Sequence, residues 1–366
     1  MIKILMSSTT PIGKDGISNV MLNLFESINK EKYHIDFVTI NEPEESIRNR
    51  IIDNGASYQV IKRTIKHPIK YIKAFSKACK GYDIVHVHGN SATMFLEMAG
   101  AILSGVKVRI AHSHNTYCKY KIIDRVFRVP FYFLCNVRLA CGKEAGEWLF
   151  GHRQFDVVNN GIQCVKYSFN PLDRKLIQDK LALANTIVIG HVGNFLPAKN
   201  HRFILEIFNS LFNKNQSYRL LLLGDGPLFK DIKSEAEALG LSEYIRFEGS
   251  VDNVSAYLNA MDLVLMPSIY EGLPLTLIEE QANGLECIVS DTITKESDLT
   301  GNVTFIPLNQ AEAFVDKIQS LKCEKTDRLN KSHESINKIK ERNFDINESI
   351  HKLEFIYSVK SASKLI

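Results

Sequence analysis

The chain has 366 residues, 45% of them hydrophobic and 23% charged, with 45 Lys and Arg against 41 Asp and Glu. This length suits two domains of ordinary size, and the composition is that of a globular chain with a large core and no sign of disorder. A net charge of +4 and the lack of an aromatic stacking motif argue against a nucleic-acid binder.

The seven cysteines are odd in number and scattered, with no Cys-x-x-Cys, so neither a disulfide framework nor a zinc knuckle is expected and a reducing cytoplasm fits. The N-terminus lacks the apolar region of a signal peptide. No run of about 18 apolar residues is present, so no membrane-spanning helix is expected.

In chain order, Ile2–Met6 reads as a strand that enters the loop Thr10-Pro11-Ile12-Gly13-Lys14-Asp15-Gly16-Ile17. Ile17, Val20, Met21, Leu24, Phe25 and Ile28 then follow the helical spacing of one buried face. Ile35–Ile40, Asp83–His88 and Val106–His112 read as strands, with helices over 68–80 and 91–103 between them. Two histidine-rich strand ends stand out, Asp83-Ile84-Val85-His86-Val87-His88-Gly89 and Ala111-His112-Ser113-His114-Asn115. A histidine at such an end either contacts a sugar hydroxyl or phosphate, or is a hydrogen-bonded structural residue.

Charge is uneven. Residues 1–160 hold 22 Lys and Arg against 14 Asp and Glu, and the remainder holds 23 against 27. Lys62, Arg63, Lys66, Lys70, Lys73, Lys77 and Lys80 form a stretch without one acid. A second cluster, Lys119, Lys121, Arg125, Arg128 and Arg138, is interleaved with bulky apolar residues. Such segments either lie on an anionic bilayer or form ordinary amphipathic helices with a basic solvent face.

A break is expected between Asn159 and Leu183, after Asn159-Asn160-Gly161-Ile162. The alternation then resumes, with strands at Thr186–Val192, Arg219–Leu223, Ile245–Glu248, Leu263–Met266 and Glu286–Ser290 and helices at about 200–213, 228–239, 252–260 and 276–283. Strands alternating with helices imply parallel sheets covered on both faces, with ligands at the carboxyl ends of strands. The last 40 or so residues look helical, with Phe344, Ile346, Ile350, Leu353 and Ile356 as a buried stripe.

Three segments of this second half follow strands. Gly193-Asn194-Phe195-Leu196-Pro197-Ala198-Lys199 places a cation just before a helix, where it can meet a diphosphate. Leu223-Gly224-Asp225-Gly226-Pro227 partly matches a dinucleotide fingerprint, but Phe229 stands where a third Gly is needed. Pro267-Ser268-Ile269-Tyr270-Glu271-Gly272-Leu273-Pro274-Leu275 through Glu279 sets two carboxylates eight positions apart across a Gly turn. A Gly turn at a helix start favours an anion, and carboxylates accept hydrogen bonds from sugar hydroxyls, so the pattern suits a sugar attached to a phosphate. Thr276 and Glu279 also have capping-box spacing, so Glu279 reads equally as a helix cap.

Taken together, the Gly16 loop, Asp83-Ile-Val-His, His112 and His114, Asn159-Asn160-Gly161, Gly193 to Lys199, Gly224-Asp225-Gly226-Pro227, Pro267-Ser268 and the Glu271/Glu279 pair resemble glycosyltransferase family 4, the retaining GT-B enzymes, most of all its capsule and exopolysaccharide branch. The resemblance implies an α/β protein of two facing Rossmann-like doubly wound domains with a C-terminal helix crossing back to the first. The implied divisions are 1–165 for acceptor binding, 166–345 for nucleotide-sugar binding and 346–366 for the returning helix. It implies that Glu279 binds ribose hydroxyls and that Glu271 binds the donor sugar. The backbone of Gly272, Leu273, Pro274 and Leu275, together with Lys199, would face the diphosphate. His114 or His112 would contact the sugar, and Gly16 would lie beneath the phosphates. Three positions depart from the family pattern. Asn194 stands where Arg is common, Pro274 where a second Gly is common, and Asp15 where the first Gly of a pair is common.

The implied reaction is retaining transfer of a hexosyl or N-acetylhexosaminyl group from a UDP-sugar to a lipid-linked saccharide or polysaccharide precursor. Glu271, His114 and Lys199 are the expected catalytic groups, and Asn194 joins the donor contacts. No Asp-x-Asp is present for a metal, so no metal or other cofactor is expected, and catalysis rests on orientation and charge stabilisation. The expected location is the cytoplasm, peripheral on the inner face of the membrane. The alternatives are a nucleotide-sugar 2-epimerase and an inactive nucleotide-sugar-binding subunit of a partner enzyme.

Overall fold

The computed structural model describes residues 1–13, 15–64, 66–116, 118, 121–321 and 327–362. Lys14 of the first Gly loop, Lys119 of the second basic cluster and Cys323 lie outside them. The chain divides into two compact units, Met1–Gly161 with Asn343–Ile366, and Ile162–Arg342.

Unit 1 contains strands β1 (Ile2–Ser8), β2 (Tyr33–Thr39), β3 (Tyr58–Val60), β4 (Ile84–Gly89), β5 (Val108–Ser113), β6 (Val137–Ala140) and β7 (Asp156–Val157). They form one parallel sheet in the order β3-β2-β1-β4-β5-β6-β7. Helices α1 (Gly16–Ser27), α2 (Glu45–Asp53), α3 (Pro68–Ala78), α4 (Phe95–Leu103), α5 (Lys121–Leu134) and α6 (Lys143–Phe150) connect the strands. β4 is buried along its whole length, as a strand covered on both faces must be.

Unit 2 contains α7 (Pro171–Lys180), β8 (Ile187–Val192), α8 (His201–Lys214), β9 (Tyr218–Leu223), α9 (Phe229–Ala238), β10 (Ile245–Gly249), α10 (Val254–Ala260), β11 (Leu263–Met266), α11 (Leu275–Ala282), β12 (Glu286–Ser290), β13 (Val303–Ile306), α12 (Ala311–Ser320) and α13 (Arg328–Glu341). Its parallel sheet runs β10-β9-β8-β11-β12-β13. Apolar clusters fill both faces. Phe195, Phe208 and Phe314 lie on one side, and Tyr257, Met261 and Leu277 on the other.

The final helix α14 (Ile346–Ala362) belongs to unit 1. Ile346, Ile350, Leu353 and Ile356 are buried, as their spacing predicts, whereas Phe344 of the expected stripe lies before the helix and is only partly buried. Tyr33 donates to the Glu354 carbonyl at 3.0 Å, and Asn29 N–H donates to the Glu354 carboxylate at 2.9 Å. Asn159-Asn160-Gly161 anchors the helix start: Ser349 donates to the Asn159 carbonyl at 2.8 Å, and a Cβ on Gly161 would lie 2.8 Å from the Asp345 carbonyl oxygen. The six described cysteines are buried and none of them is in a disulfide. Among the described residues no helix is long and apolar enough to cross a membrane.

Candidate functional site

In unit 2 the two loops that follow β8 and β11 are joined. Ile269 N–H donates to the Ala198 carbonyl at 2.8 Å, and the Asn200 side-chain amide donates to the Pro267 carbonyl at 3.2 Å. This brings Lys199 Nζ to 2.6 Å from Glu271 Oε1, with both side chains mostly buried. Ser268 Oγ donates to the same Glu271 oxygen at 2.9 Å. Lys199 and Glu271, assigned separate ligand contacts from sequence, are therefore ion-paired with each other. Any anion approaching Lys199 would have to compete with a carboxylate already in place.

Gly224 and Gly226 pack against the β8 loop. Gly224 has φ +136° and Gly226 φ +154°, values L residues rarely adopt. A Cβ on Gly224 would lie 2.1 Å from the Gly193 carbonyl oxygen, and one on Gly226 2.8 Å from that of Phe195. Gly193 N–H donates to the Leu223 carbonyl and Phe195 N–H to that of Asp225, both at 2.9 Å. The Gly-Asp-Gly-Pro segment thus supports the loop that carries Asn194 and Lys199. Asn194 is half-buried and its carbonyl accepts from Leu196 N–H at 2.7 Å.

Gly272 is exposed with open space where a Cβ would stand. The following helix α11 starts at Leu275 with Pro274 as its N-cap, whose side chain accepts nothing from the first turn. Thr276 is therefore inside the helix, and the capping-box reading of Thr276 and Glu279 does not hold. Pro274 is buried, and Leu273 and Leu275 are partly exposed.

Burial lifts the Glu279 carboxyl to about 7, opposed by a hydrogen bond from Tyr167 and the charge of Lys166. Its neighbour Glu280 is fully buried with neither carboxylate oxygen hydrogen-bonded. Burial, reinforced by the Glu279 charge, raises the Glu280 carboxyl well above the carboxylate range. Sequence reasoning passed over Glu280 and Tyr167, and it quoted Ser268 as part of a motif without giving it a role. Only the doubled Glu279-Glu280 on an otherwise apolar helix hinted at the first.

In unit 1 the loop ahead of α1 behaves differently from expectation. The Asp15 carboxylate accepts from Ile17 N–H at 3.0 Å and Ser18 N–H at 3.1 Å, and from Ser18 Oγ at 2.7 Å. Two amides that would have cradled an anion are already satisfied by the chain itself. Gly16, the first helical residue, is exposed with nothing within 4 Å of a Cβ position.

The pairing of β4 with β5 sets His88 opposite His112 and gathers four histidines on one face. Two hydrogen-bonded chains result. His86 Nδ1 meets Tyr357 Oη at 2.7 Å, and its Nε2 meets His112 Nδ1 at 3.3 Å. His88 Nδ1 meets His114 Nε2 at 2.8 Å, and His114 Nδ1 meets Asn160 Oδ1 at 3.2 Å. With Asn160 Oδ1 accepting, His114 carries its proton on Nδ1 and accepts from His88 on Nε2. Burial lowers all four pKa values, His114 to about 4 and His86 to about 3, so all are neutral at pH 7. The rings of His86, His88 and His112 are close enough to suggest a metal site. They are stacked, however, with His86 and His88 only 26° apart and their centroids 4.2 Å apart. His112 is fully buried, which removes it from direct ligand contact, whereas His114 keeps some exposure.

Two Rossmann-like parallel-sheet units with a returning C-terminal helix define the GT-B class. Residues 173–342 match the family model described as "Glycosyl transferases group 1". The chain is 32% identical to EpsF of Bacillus subtilis (strain 168), whose name places it among the glycosyltransferases, over 82% of each chain. It is 26% identical to the Escherichia coli UDP-Gal:alpha-D-GlcNAc-diphosphoundecaprenol alpha-1,3-galactosyltransferase, over 83% of this chain and 84% of that one. The fold matches that of HepE from Anabaena, solved in complex with UDP, with a TM-score of 0.78 at 13% identity, covering 98% of this chain and all of that one. The chain belongs to the group 1 glycosyltransferases.

Proposed function

We propose that this glycosyltransferase moves a hexosyl or N-acetylhexosaminyl group, with retention, from a UDP-sugar to a lipid-linked saccharide during capsule or exopolysaccharide synthesis. The observation that carries the reading is the construction around Lys199. A buried cation, a carboxylate 2.6 Å away and an open Gly272 turn before an uncapped helix stand together in unit 2. The uncapped α11 terminus offers N–H groups to a diphosphate, and Lys199 adds charge. Glu279 as a carboxylate accepts from ribose hydroxyls, and Glu271 accepts from the donor sugar once a phosphate draws Lys199 away. The Escherichia coli relative, named for a UDP-galactose donor and a diphosphoundecaprenol acceptor, supports the choice of donor and acceptor classes.

In this reading unit 2 holds the donor and unit 1 the acceptor. His114 serves sugar recognition, held in one tautomer by Asn160 and His88 and backed by His112. The leaving phosphate oxygen takes the acceptor proton on the same face, so the protein supplies orientation and charge stabilisation and needs no metal. Work then takes place at the inner face of the membrane, in the cytoplasm.

The test is release of nucleoside diphosphate from UDP-, GDP- and ADP-sugars, with and without membrane lipid extract. The expected result is release from a UDP-sugar, stimulated by extract, insensitive to chelator and lost in Glu279→Ala. Turnover without an acceptor to a 2-epimer would replace the transferase with an epimerase. Tight UDP binding with no turnover under any condition would make the chain a binding subunit.

A further inference from the structure

We propose that Tyr167 is a positioning residue for the donor nucleotide, holding the Glu279 carboxylate toward the ribose hydroxyls and so setting the preference for a ribonucleotide over its 2′-deoxy form. This deepens the reading of Glu279 as the ribose acceptor and rests on it. Tyr167 ends a short 3₁₀ turn, Cys164–Tyr167, in the segment by which the chain enters unit 2. Two points of α11 meet it. The Tyr167 hydroxyl donates to the Glu279 carboxylate, and the Asn283 side-chain amide donates to the Tyr167 carbonyl at 2.9 Å. Glu279 and Asn283 stand one helical turn apart, so a single face of α11 holds both ends of the residue.

The main chain here is fixed without help from Glu279. Asn283 is fully buried, and its amide also donates to Asn259 Oδ1 at 2.9 Å, which accepts from Asn170 N–H at 3.0 Å. Arg328 of α13 donates to the Asn283 carbonyl at 3.2 Å and also to its side-chain oxygen. Phe169 N–H donates to Ser332 Oγ at 3.0 Å, and Ser332 donates to the Ala282 carbonyl at 2.7 Å. The Tyr167 ring packs on the apolar cluster that holds Tyr257 and Leu277. Removing the hydroxyl therefore leaves the turn in place, so its effect on Glu279 can be measured apart from the fold.

The role needs a carboxylate, whose oxygens accept from every hydroxyl they meet, rather than a carboxylic acid. Burial opposes this by lifting Glu279 to about 7, and the Tyr167 hydroxyl and the Lys166 charge pull it back down. The other charged groups around α11 are engaged elsewhere. Glu280 is fully buried with neither oxygen hydrogen-bonded, and burial and the Glu279 charge push it well above the carboxylate range, so it stays protonated when Glu279 ionises. Lys199 and Glu271 pair with each other at 2.6 Å. Arg328 is taken up by Asn283 and by the Leu258 carbonyl of α10 at 2.8 Å. The entering segment thus supplies both the orientation of the Glu279 carboxylate and part of its ionisation.

Calorimetric binding of UDP and 2′-deoxy-UDP to the full chain, at about pH 7 and about pH 9, tests this. The wild type should prefer UDP. Tyr167→Phe should weaken UDP about tenfold at neutral pH, the worth of one hydrogen bond to a charged group, and weaken 2′-deoxy-UDP less. Without the hydroxyl the Glu279 carboxyl moves further up, so the loss should shrink in the alkaline arm, where the group is ionised in both proteins. Comparing variant with wild type at one pH cancels the titration of the nucleotide itself. Lys166→Gln, at an exposed position, removes the charge but not the hydroxyl and should weaken UDP by no more than about threefold. A tyrosine with a purely structural role would weaken both nucleotides equally at both pH values, and that result overturns the proposal. So does a larger loss in Lys166→Gln than in Tyr167→Phe, which would make charge the determinant. Glu279→Gln keeps the two readings apart. Loss of the UDP preference in Glu279→Gln but not in Tyr167→Phe overturns the role of Tyr167 alone. A preference that survives Glu279→Gln, or wild-type protein that does not bind UDP, overturns the ribose reading and this proposal with it.

Discussion

The helices α1 and α11 begin in the same way, after a parallel strand and a Gly-containing loop, but they use their N-termini differently. At α1 the Asp15 carboxylate takes the Ile17 and Ser18 amides, so the helix supplies its own anion. At α11 the N-cap is Pro274, which has no side-chain acceptor, and Gly272 before it leaves open space. The dipole and free amides at a helix start favour a negative charge, and either the chain or a ligand can provide it. One unit spends that capacity on its own stability; the other leaves it open, and the proposed function seats a phosphate there.

Acid should separate the two units most. The four unit 1 histidines are neutral, with pKa values lowered by burial to about 4 at His114 and about 3 at His86. In the unfolded chain each takes a proton near pH 6.5. The unfolded state therefore binds more protons below that pH. Stability is full above 6.5 and falls as pH drops toward the folded values, by up to ~1.4 kcal/mol per histidine per pH unit. In unit 2, His191 and His201 act in the same direction, but Glu279 opposes them. Its carboxyl is raised to about 7, so its contribution is largest at low pH and is lost as pH rises through 7. Trp148, the one tryptophan of the chain, lies in α6 of unit 1 and reports that unit. Its fluorescence should show unit 1 unfolding at a higher pH than the total far-UV signal. Coincident transitions would break the comparison.

Next in size is the chemistry. Lys199→Ala should lower turnover by about 10²–10³-fold, the usual loss when one preorganised electrostatic partner is removed. It also leaves Glu271 without its cation, so substrate affinity should change as well as rate. Turnover within a factor of two of wild type would move the diphosphate site elsewhere.

Much of this architecture is legible in the sequence. The strands β4, β8, β9, β11 and β12 are dominated by apolar residues, and their bounds fall within two residues of expectation. β3, β6, β7 and β13 were not legible: β3 and β7 are only three and two residues long at the sheet edges, β6 is four residues long with Arg138 among them, and β13 is half-exposed. The site was legible as residue types and illegible as contacts. Lys199 and Glu271 are 72 positions apart, and their pairing depends on two loops hydrogen-bonding. His112 and His114 look alike in sequence, yet His112 lies within β5 and is fully buried, whereas His114 lies just past the strand end and is partly exposed. Asp15 read as a lost glycine, but its carboxylate stands where it caps α1.

Glycines sharpen the contrast further. Gly224→Ala puts a Cβ 2.1 Å from backbone at a φ of +136°, so unit 2 should lose ~3 kcal/mol. Gly16→Ala meets nothing and sits at the first helical position, so it should be neutral or stabilise by up to about 1 kcal/mol. Urea melts of the two variants check both signs.

The smallest effect bears most directly on the comparison. Asp15→Ala removes the acceptor for two amides and should cost about 1 kcal/mol, while Asp15→Asn keeps an acceptor oxygen and should recover most of it. Asp15→Gly should cost only a few tenths, because glycine is tolerated at an N-cap. Melting followed by Trp148 measures all three. The informative arm is UDP affinity in Asp15→Gly, where the α1 amides are free and no side chain competes. Unchanged affinity keeps the phosphate at α11 and leaves the α1 cap a matter of stability. A gain of tenfold or more would show that α1 is a second anion site that Asp15 holds closed, and that the two helix starts differ by one side chain rather than by design.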